Sequence, residues 1–403
     1  MEREQSRSQE RLQAIAARLG ETLGEPLAGD PRRLSSGASR ETLAFELPSR
    51  GRLVVQIDRH GDKLNEAPAQ APLLAAASQA GVPVPLVVAH GEDDPVLGSS
   101  WAVVEALPGT ADPKEILDGE RGPDAQKLLD DIARALVAVH RMPADPALAR
   151  AIEDPLGVLR EWHDRLGEPH PTFELAFRAL ASEAPAQRTR SLVHGDFRMG
   201  NLMVDERGLT GVLDWELTHL GDPVEDLGWL CVPAWRFSRP DRPAAGLGTR
   251  EQLIAAYERH GGAAVEERSL RWWELAGTLR WGVICVMQAF AHLSGAVNSI
   301  EHAVIGRRAA EVEWDLLDLL DPSPAADESV SDDPAPGPPV LHDRPTTLEL
   351  LDAARSALGD DVLPRLEGRA AFQTRVTMRA LGMVRRELAL ADEHRAEIGR
   401  AHV

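Results

Sequence analysis

Leu192-Val193-His194-Gly195-Asp196-Phe197-Arg198-Met199-Gly200-Asn201-Leu202-Met203, followed downstream by Gly211-Val212-Leu213-Asp214-Trp215-Glu216, is the stretch from which the rest of the chain can be read. Two short β-like pieces, 202–204 and 210–213, flank the turn Asp205-Glu206-Arg207-Gly208, so the pattern predicts a loop leading into a hairpin. Asp196 and Asn201 lie five residues apart across that loop and can point into one cleft. Asp214 leaves the second strand and can face them. Phosphoryl transfer from a nucleoside triphosphate asks for such a set: a carboxylate beside the acceptor hydroxyl, and a second carboxylate with an amide oxygen to hold Mg²⁺. A lone His-Gly-Asp turn would say little, but the Asn at its spacing and the downstream Asp make a chance match a poor explanation.

Upstream of this stretch the chain is largely β. Residues 5–19 read as an amphipathic helix with Leu12, Ile15, Ala16 and Leu19 on one face. Residues 33–39 read as a small-residue turn, and 42–47 and 53–57 as strands. An Ala-rich helix is expected over 69–80, stopped by Gly81, and Val82-Pro83-Val84-Pro85 forces an extended segment. A further strand over 101–106 ends in Leu107-Pro108-Gly109. Downstream the pattern turns helical: Leu128, Leu129, Ile132, Leu136 and Val139 mark a buried helix, and 249–320 reads as helices, with a long one from about residue 304. The expected fold is α+β and two-lobed, with an N-terminal lobe over 1–107 and a helical lobe over 108–321. Residues 322–340, with six prolines among acidic and serine residues, form a linker because they cannot bury enough apolar surface to order. Beyond it, 341–403 forms a small helical domain, opened by the capping box Thr346-x-x-Glu349 and carrying the apolar positions Phe372, Val376, Ala380, Val384 and Leu388.

A net charge of −20 argues against nucleic acid or an anionic membrane as partner, and no apolar run is long enough to span a bilayer. Cys231 and Cys285 sit in apolar contexts and read as reduced core residues, which points to a cytoplasmic protein. The tryptophans of the helical lobe, at helical spacing, read as core. His140, His163 and His292 lack metal-ligand spacing.

His194-Gly-Asp-Phe-Arg-x-Gly-Asn, with Leu213-Asp-Trp-Glu-Leu and Gly221-Asp-Pro-x-Glu-Asp-Leu, resembles the aminoglycoside phosphotransferase-like kinase superfamily, and within it the kinase-like domains associated with acyl-CoA dehydrogenases. The resemblance covers about residues 25–320. It implies a protein-kinase-like fold, ATP and Mg²⁺ as cofactors and a hydroxyl on a small molecule as acceptor: a hydroxyacyl-CoA or related compound, or an aminoglycoside-like antibiotic. It makes Asp196 the catalytic carboxylate, Asn201 and Asp214 the metal ligands, and His194, Asp222 and Asp226 supports. Ser36, Gly37 and Ala38 fall in the phosphate-covering loop, and Glu105 and Leu107 in the hinge that would hold adenine. An acyl-CoA dehydrogenase is the implied protein partner, and a nucleotide-binding pseudokinase scaffold is the alternative to an enzyme.

Two positions depart from that pattern. The fold places a cation on the strand at 54–57 and pairs it with a Glu on the next helix. Strand parity puts Gln56 in the first position, and counting back from Gly81 puts Gln70 in the second. Lysine is scarce in this chain, and Lys63 lies beyond the strand. The ion pair reads as an amide pair.

Overall fold

The computed structural model describes residues 2–36, 40–58, 70–118, 123–185, 190–297, 299–321 and 347–401. The expectations for Gly37, Ala38, the linker 322–340 and the Thr346 cap lie outside these residues, as do the side chains of Ser36 and Gln70. Two compact units divide the chain, Met1–Trp281 and Gly282–Val403.

In the first unit, helix α1 (Glu2–Leu23) precedes an antiparallel sheet of β1 (Arg32–Ser36), β2 (Arg40–Leu47), β3 (Gly51–Asp58), β4 (Val87–Asp94) and β5 (Gly98–Glu105), in the order β1-β2-β3-β5-β4. Helix α2 (Gln70–Gln79) lies between β3 and β4 in the chain. Alternation along the strands sends Leu43, Phe45, Leu53, Val55, Ile57 and Val103 to one face, where Ile15 and Leu19 of α1 complete the core. Two ion pairs fix α1 there, Arg18 to Asp94 at 2.8 Å and Arg11 to Glu41 at 3.0 Å. Burial pushes the Glu41 carboxyl up, but the Arg33 and Arg11 guanidinia outweigh it and hold the group below the usual range. Two strands differ from the sequence reading: the expected turn at 33–39 contains β1, and β4 gave no strand signal. Both are edge strands, whose place comes from pairing with β2 and β5 rather than from an apolar alternation of their own.

The helical part of this unit contains α3 (Pro113–Leu117), α4 (Ala125–His140), β6 (Arg150–Ala151), α5 (Pro155–Leu166), α6 (Pro171–Ser182), β7 (Ser191–Val193), the hairpin of β8 (Leu202–Asp205) and β9 (Gly208–Val212), β10 (His219–Gly221), α7 (Val224–Cys231) and α8 (Arg250–Arg259). The connector from the sheet is stitched directly to the hairpin. Thr110 and Val204 exchange backbone hydrogen bonds, both 2.9 Å, and Thr210 Oγ1 donates to the Pro108 carbonyl at 2.7 Å. Gly109 makes this approach feasible: at φ +103° an added Cβ would lie 2.2 Å from the Val204 carbonyl oxygen. On its other side the hairpin donates from Val212 N–H to the Pro83 carbonyl at 2.8 Å.

Helix α9 (Glu267–Leu293) crosses the division between the units, and α10 (Ile300–Arg307), α11 (Ala309–Leu320), α12 (Thr347–Ser356) and α13 (Gly368–Ala401) belong to the second. The long helix of the 249–320 region is therefore α9. The one expected from residue 304 is broken at Arg308, whose Nε turns onto Glu311 at 2.9 Å. Cys231 and Cys285 are both free and buried, and burial pushes both thiols up, Cys285 to about 12. Among the described residues no helix is long and apolar enough to cross a membrane.

Candidate active site

β7 delivers the chain into the 194–201 loop, whose shape is set by His194, Gly195 and, from α7, Asp226. His194 is fully buried and its ring bridges two segments: Nδ1 accepts from the Asp196 N–H at 3.2 Å, so the proton sits on Nε2 and is donated to the Leu213 carbonyl at 3.0 Å. Burial pushes its pKa down against the pull of Asp226 and Asp196, which keeps the ring in this neutral form. Gly195 turns the chain at φ +81°, where a Cβ would lie 2.3 Å from the Leu217 carbonyl oxygen. Asp226, in the first turn of α7 and fully buried, accepts the His194 and Gly195 N–H groups at 2.8 and 2.9 Å and faces His140 Nε2 at 3.2 Å.

Asp196 is brought into contact with three donors. Its Oδ1 accepts from Arg198 Nε at 3.0 Å and from Trp229 Nε1 at 2.8 Å, and its Oδ2 accepts from Asn201 Nδ2 at 2.6 Å. Asn201 Nδ2 also bonds the Asp196 carbonyl at 2.9 Å, so the amide nitrogen is committed and Oδ1 remains the metal-competent end. The Asn201 carbonyl accepts from Leu213 N–H at 2.8 Å, which places the start of the Asp214 segment against the loop. Asp214 itself leaves β9 at φ +63°, a left-handed conformation that aspartate tolerates better than most residues. Among the described residues no group of three or more His, Cys, Asp or Glu side chains could hold a metal alone. One carboxylate and one amide oxygen fit a cation that keeps phosphate and water oxygens in its shell.

Behind the loop lies a second polar layer. Arg280 donates from Nη2 to the Gly195 carbonyl at 2.8 Å, approaches Glu225 at 3.4 Å and stacks over Trp229 at 4.5 Å. Arg198 stacks over Trp235 at 4.6 Å. His219 has an acceptor at each nitrogen, the Leu217 carbonyl at 2.9 Å and Glu225 Oε2 at 3.1 Å. Burial works to lower its pKa, but the Glu225 carboxylate and the Leu217 carbonyl overcome this and raise it. Sequence reasoning missed Arg198, Trp229 and Arg280. Trp229 follows Asp226 by three residues on α7, and that spacing was the available signal that both face the loop.

The residues expected to meet the nucleotide, Gln56, Glu105 and Leu107, lie on β3, at the end of β5 and in the connector after it. Gln56 sits in β3 opposite Thr42 and Ala102, on the face away from the sheet's core, and its Oε1 is buried without a hydrogen-bond partner among the described residues. The Glu105 N–H is used by the Leu86 carbonyl at 2.9 Å. The Leu107 side chain packs over Gly211, where a Cβ would come within 2.0 Å of its Cδ1, so the connector after β5 touches the strand leading to Asp214.

The profile of the phosphotransferase enzyme family matches residues 30–263. The mouse acyl-CoA dehydrogenase family member 10 is 28% identical over 208 residues, 46% of this chain but only 19% of that protein, so the chain matches about a fifth of this curated relative's length. A candidate aminoglycoside phosphotransferase from Ralstonia eutropha superposes with a TM-score of 0.59 at 20% identity, over 76% of this chain and 97% of the other. The aminoglycoside phosphotransferase APH(4)-Ia, in a ternary complex with AMP-PNP and hygromycin B, gives 0.53 at 17%, over 78% and 99%. These likenesses show the kinase-like fold.

Proposed function

Since this chain belongs to the phosphotransferase enzyme family, we propose that it moves the γ-phosphoryl group of ATP to a hydroxyl of a small molecule. The observation that carries this reading is the joining of Asp196, Asn201 and the Asp214 segment through the Asn201 amide on Oδ2 and the Asn201 carbonyl on Leu213 N–H. Mg·ATP, when bound, would supply the transferable phosphoryl group and the cation that offsets its charge. Asn201 Oδ1 and the Asp214 carboxylate would hold the metal. Asp196 would orient the acceptor hydroxyl and take its proton as the new P–O bond forms and the bond to ADP breaks. Glu105 and Leu107 would border the base, and Ser36, Gly37 and Ala38 would cover the phosphates. Gln56 would meet the nucleotide through its amide, since Oε1 has no partner among the described residues and a flipped amide would turn its Nε2 donor to that position.

The acceptor has two candidates. A hydroxyacyl-CoA or related acyl compound is favoured by the similarity to an acyl-CoA dehydrogenase family member, and an aminoglycoside-like antibiotic by the fold's likeness to APH(4)-Ia. The dehydrogenase similarity lies within one longer chain and gives no support to a separate dehydrogenase partner. A pseudokinase scaffold is the second reading, favoured by Gln56 standing where a cation is expected. Two variants decide between them. Asp214→Ala is expected to stay folded and lose magnesium-dependent AMP-PNP binding. Asp196→Asn is expected to keep that binding and lose turnover by about 100- to 10,000-fold. Unchanged nucleotide affinity in the first, or near-normal turnover in the second, removes that residue from its role, and binding without turnover on any acceptor selects the scaffold.

A further inference from the structure

We infer that Trp229 is a positioning residue that fixes the Asp196 carboxylate so that a single lone-pair site, on Oδ2, is left for the acceptor hydroxyl. The inference rests on the proposed role of Asp196 and adds a requirement to it. An ionised carboxylate offers about four in-plane acceptor sites. Among the described residues three are taken, two on Oδ1 by Arg198 and Trp229 and one on Oδ2 by Asn201. Oδ1 is saturated, so the hydroxyl has only the remaining site on Oδ2. The direction from which the acceptor must come is thereby set.

Trp229 is the most buried of the three. It is 3% exposed, against 7% for Asn201 and 28% for the Arg198 side chain. Arg280 covers its face at 4.5 Å, Trp235 lies 5.5 Å away, and Gly277 of α9 leaves room for the ring, since a Cβ there would come within 3.2 Å of Trp229 Cε3. The Arg280 guanidinium that clamps the indole also bonds the Gly195 carbonyl, so the ring is referenced to the same loop it serves. Filling space does not by itself call for this bond. Trp235, which packs on Trp229, and Trp273, which packs on Trp272, bury their indole N–H groups with no partner among the described residues. The indole N–H is also a neutral donor, which holds the carboxylate in place without cancelling its charge as Arg198 does.

The test has two arms. Trp229→Phe keeps a ring and removes the N–H. Turnover should fall roughly tenfold, the rate equivalent of one lost hydrogen bond to a charged group, while the AMP-PNP dissociation constant stays within about twofold. In an Asp196→Asn background the same change should cost less than about twofold, because a residue acting through Asp196 has nothing left to position. Equal losses in both backgrounds overturn the inference. The second arm needs no activity. Of the nine tryptophan indole ¹⁵N–¹H resonances, the one absent from Trp229→Phe (or from Trp229→Tyr, should the first not fold) should move most when Asp196→Asn is introduced. A Trp229 resonance indifferent to that change overturns the inference even if the enzyme is active. Absence of transfer to every acceptor together with a shifted Trp229 resonance overturns the enzymatic reading and the hydroxyl's place on Oδ2, and leaves only the contact.

Discussion

Removing the Asp226 carboxylate should loosen the loop that carries Asp196, and the size of the effect can be worked from its partners. The side chain is fully buried and receives two backbone N–H groups, from His194 and Gly195, together with His140 Nε2. In Asp226→Ala all three lose their acceptor. Each buried donor left unsatisfied costs about 1–3 kcal/mol, and stripping one partner from a buried charged network costs about 3–5 kcal/mol. A loss of about 3–5 kcal/mol is therefore expected, with water entering the gap setting the lower end. Asp226→Asn keeps the shape but turns an NH₂ toward one of two N–H groups that need an acceptor, so it should recover only part of the loss. Urea unfolding followed by tryptophan fluorescence measures the total, and amide hydrogen exchange at His194 and Gly195 locates it. An unchanged midpoint with unchanged protection of those two amides would refute the argument. The pH dependence carries a sign as well. Burial pushes the Asp226 carboxyl up, but the His140 and His194 contacts outweigh this and lower it. Its contribution is present above the ordinary carboxylate pKa of about 3.9 and is lost as pH falls through the lower folded value.

His219 should show the opposite sense. Its folded pKa is raised, so its stabilisation is complete below the unfolded value of about 6.5 and disappears as pH rises through the folded one; the urea midpoints of wild type and His219→Gln should converge as pH rises above that unfolded value. A gap that widens with pH contradicts a protonated His219 between Leu217 and Glu225. Gly109→Ala should cost about 2–4 kcal/mol, because the new Cβ meets a backbone oxygen that cannot move aside without breaking the Thr110–Val204 pair. Equal thermal stability of Gly109→Ala and wild type would mean the connector has slack.

Much of the site could be read in the sequence because its needs are local. His194, Asp196 and Asn201 fall within one loop, and the hairpin that follows has apolar strands bounded by a polar turn. The sheet was legible where its strands alternate, as Leu53, Val55 and Ile57 do, and illegible at β1 and β4, which are strands only because a neighbour offers its edge. Trp229 and Arg280 were hidden for a different reason. A tryptophan at helical spacing has the same pattern whether or not its N–H meets a carboxylate, and Arg280 reaches Gly195 from 85 residues away. Parity alone puts Gln56 on the face of β3 opposite Val55 and Ile57, but no pattern could show that its oxygen would lack a partner among the described residues.

The seam between Thr110 and Val204 has a mechanical meaning. A plain connector between a sheet and a helical body is a tether, and either side can swing about any of its bonds. Here the tether is clasped on both sides of Gly109, by Thr210 on Pro108 and by Val204 on Thr110, to the hairpin whose second strand leads to Asp214. The same hairpin holds Pro83 through Val212. Any swing of the sheet thus has its fulcrum on the strand pair rather than in free chain, and the lever arm ends at Asp214. Opening and closing would tug on the Asp214 turn directly, which links access to the cleft with the geometry of the carboxylate that would hold the metal.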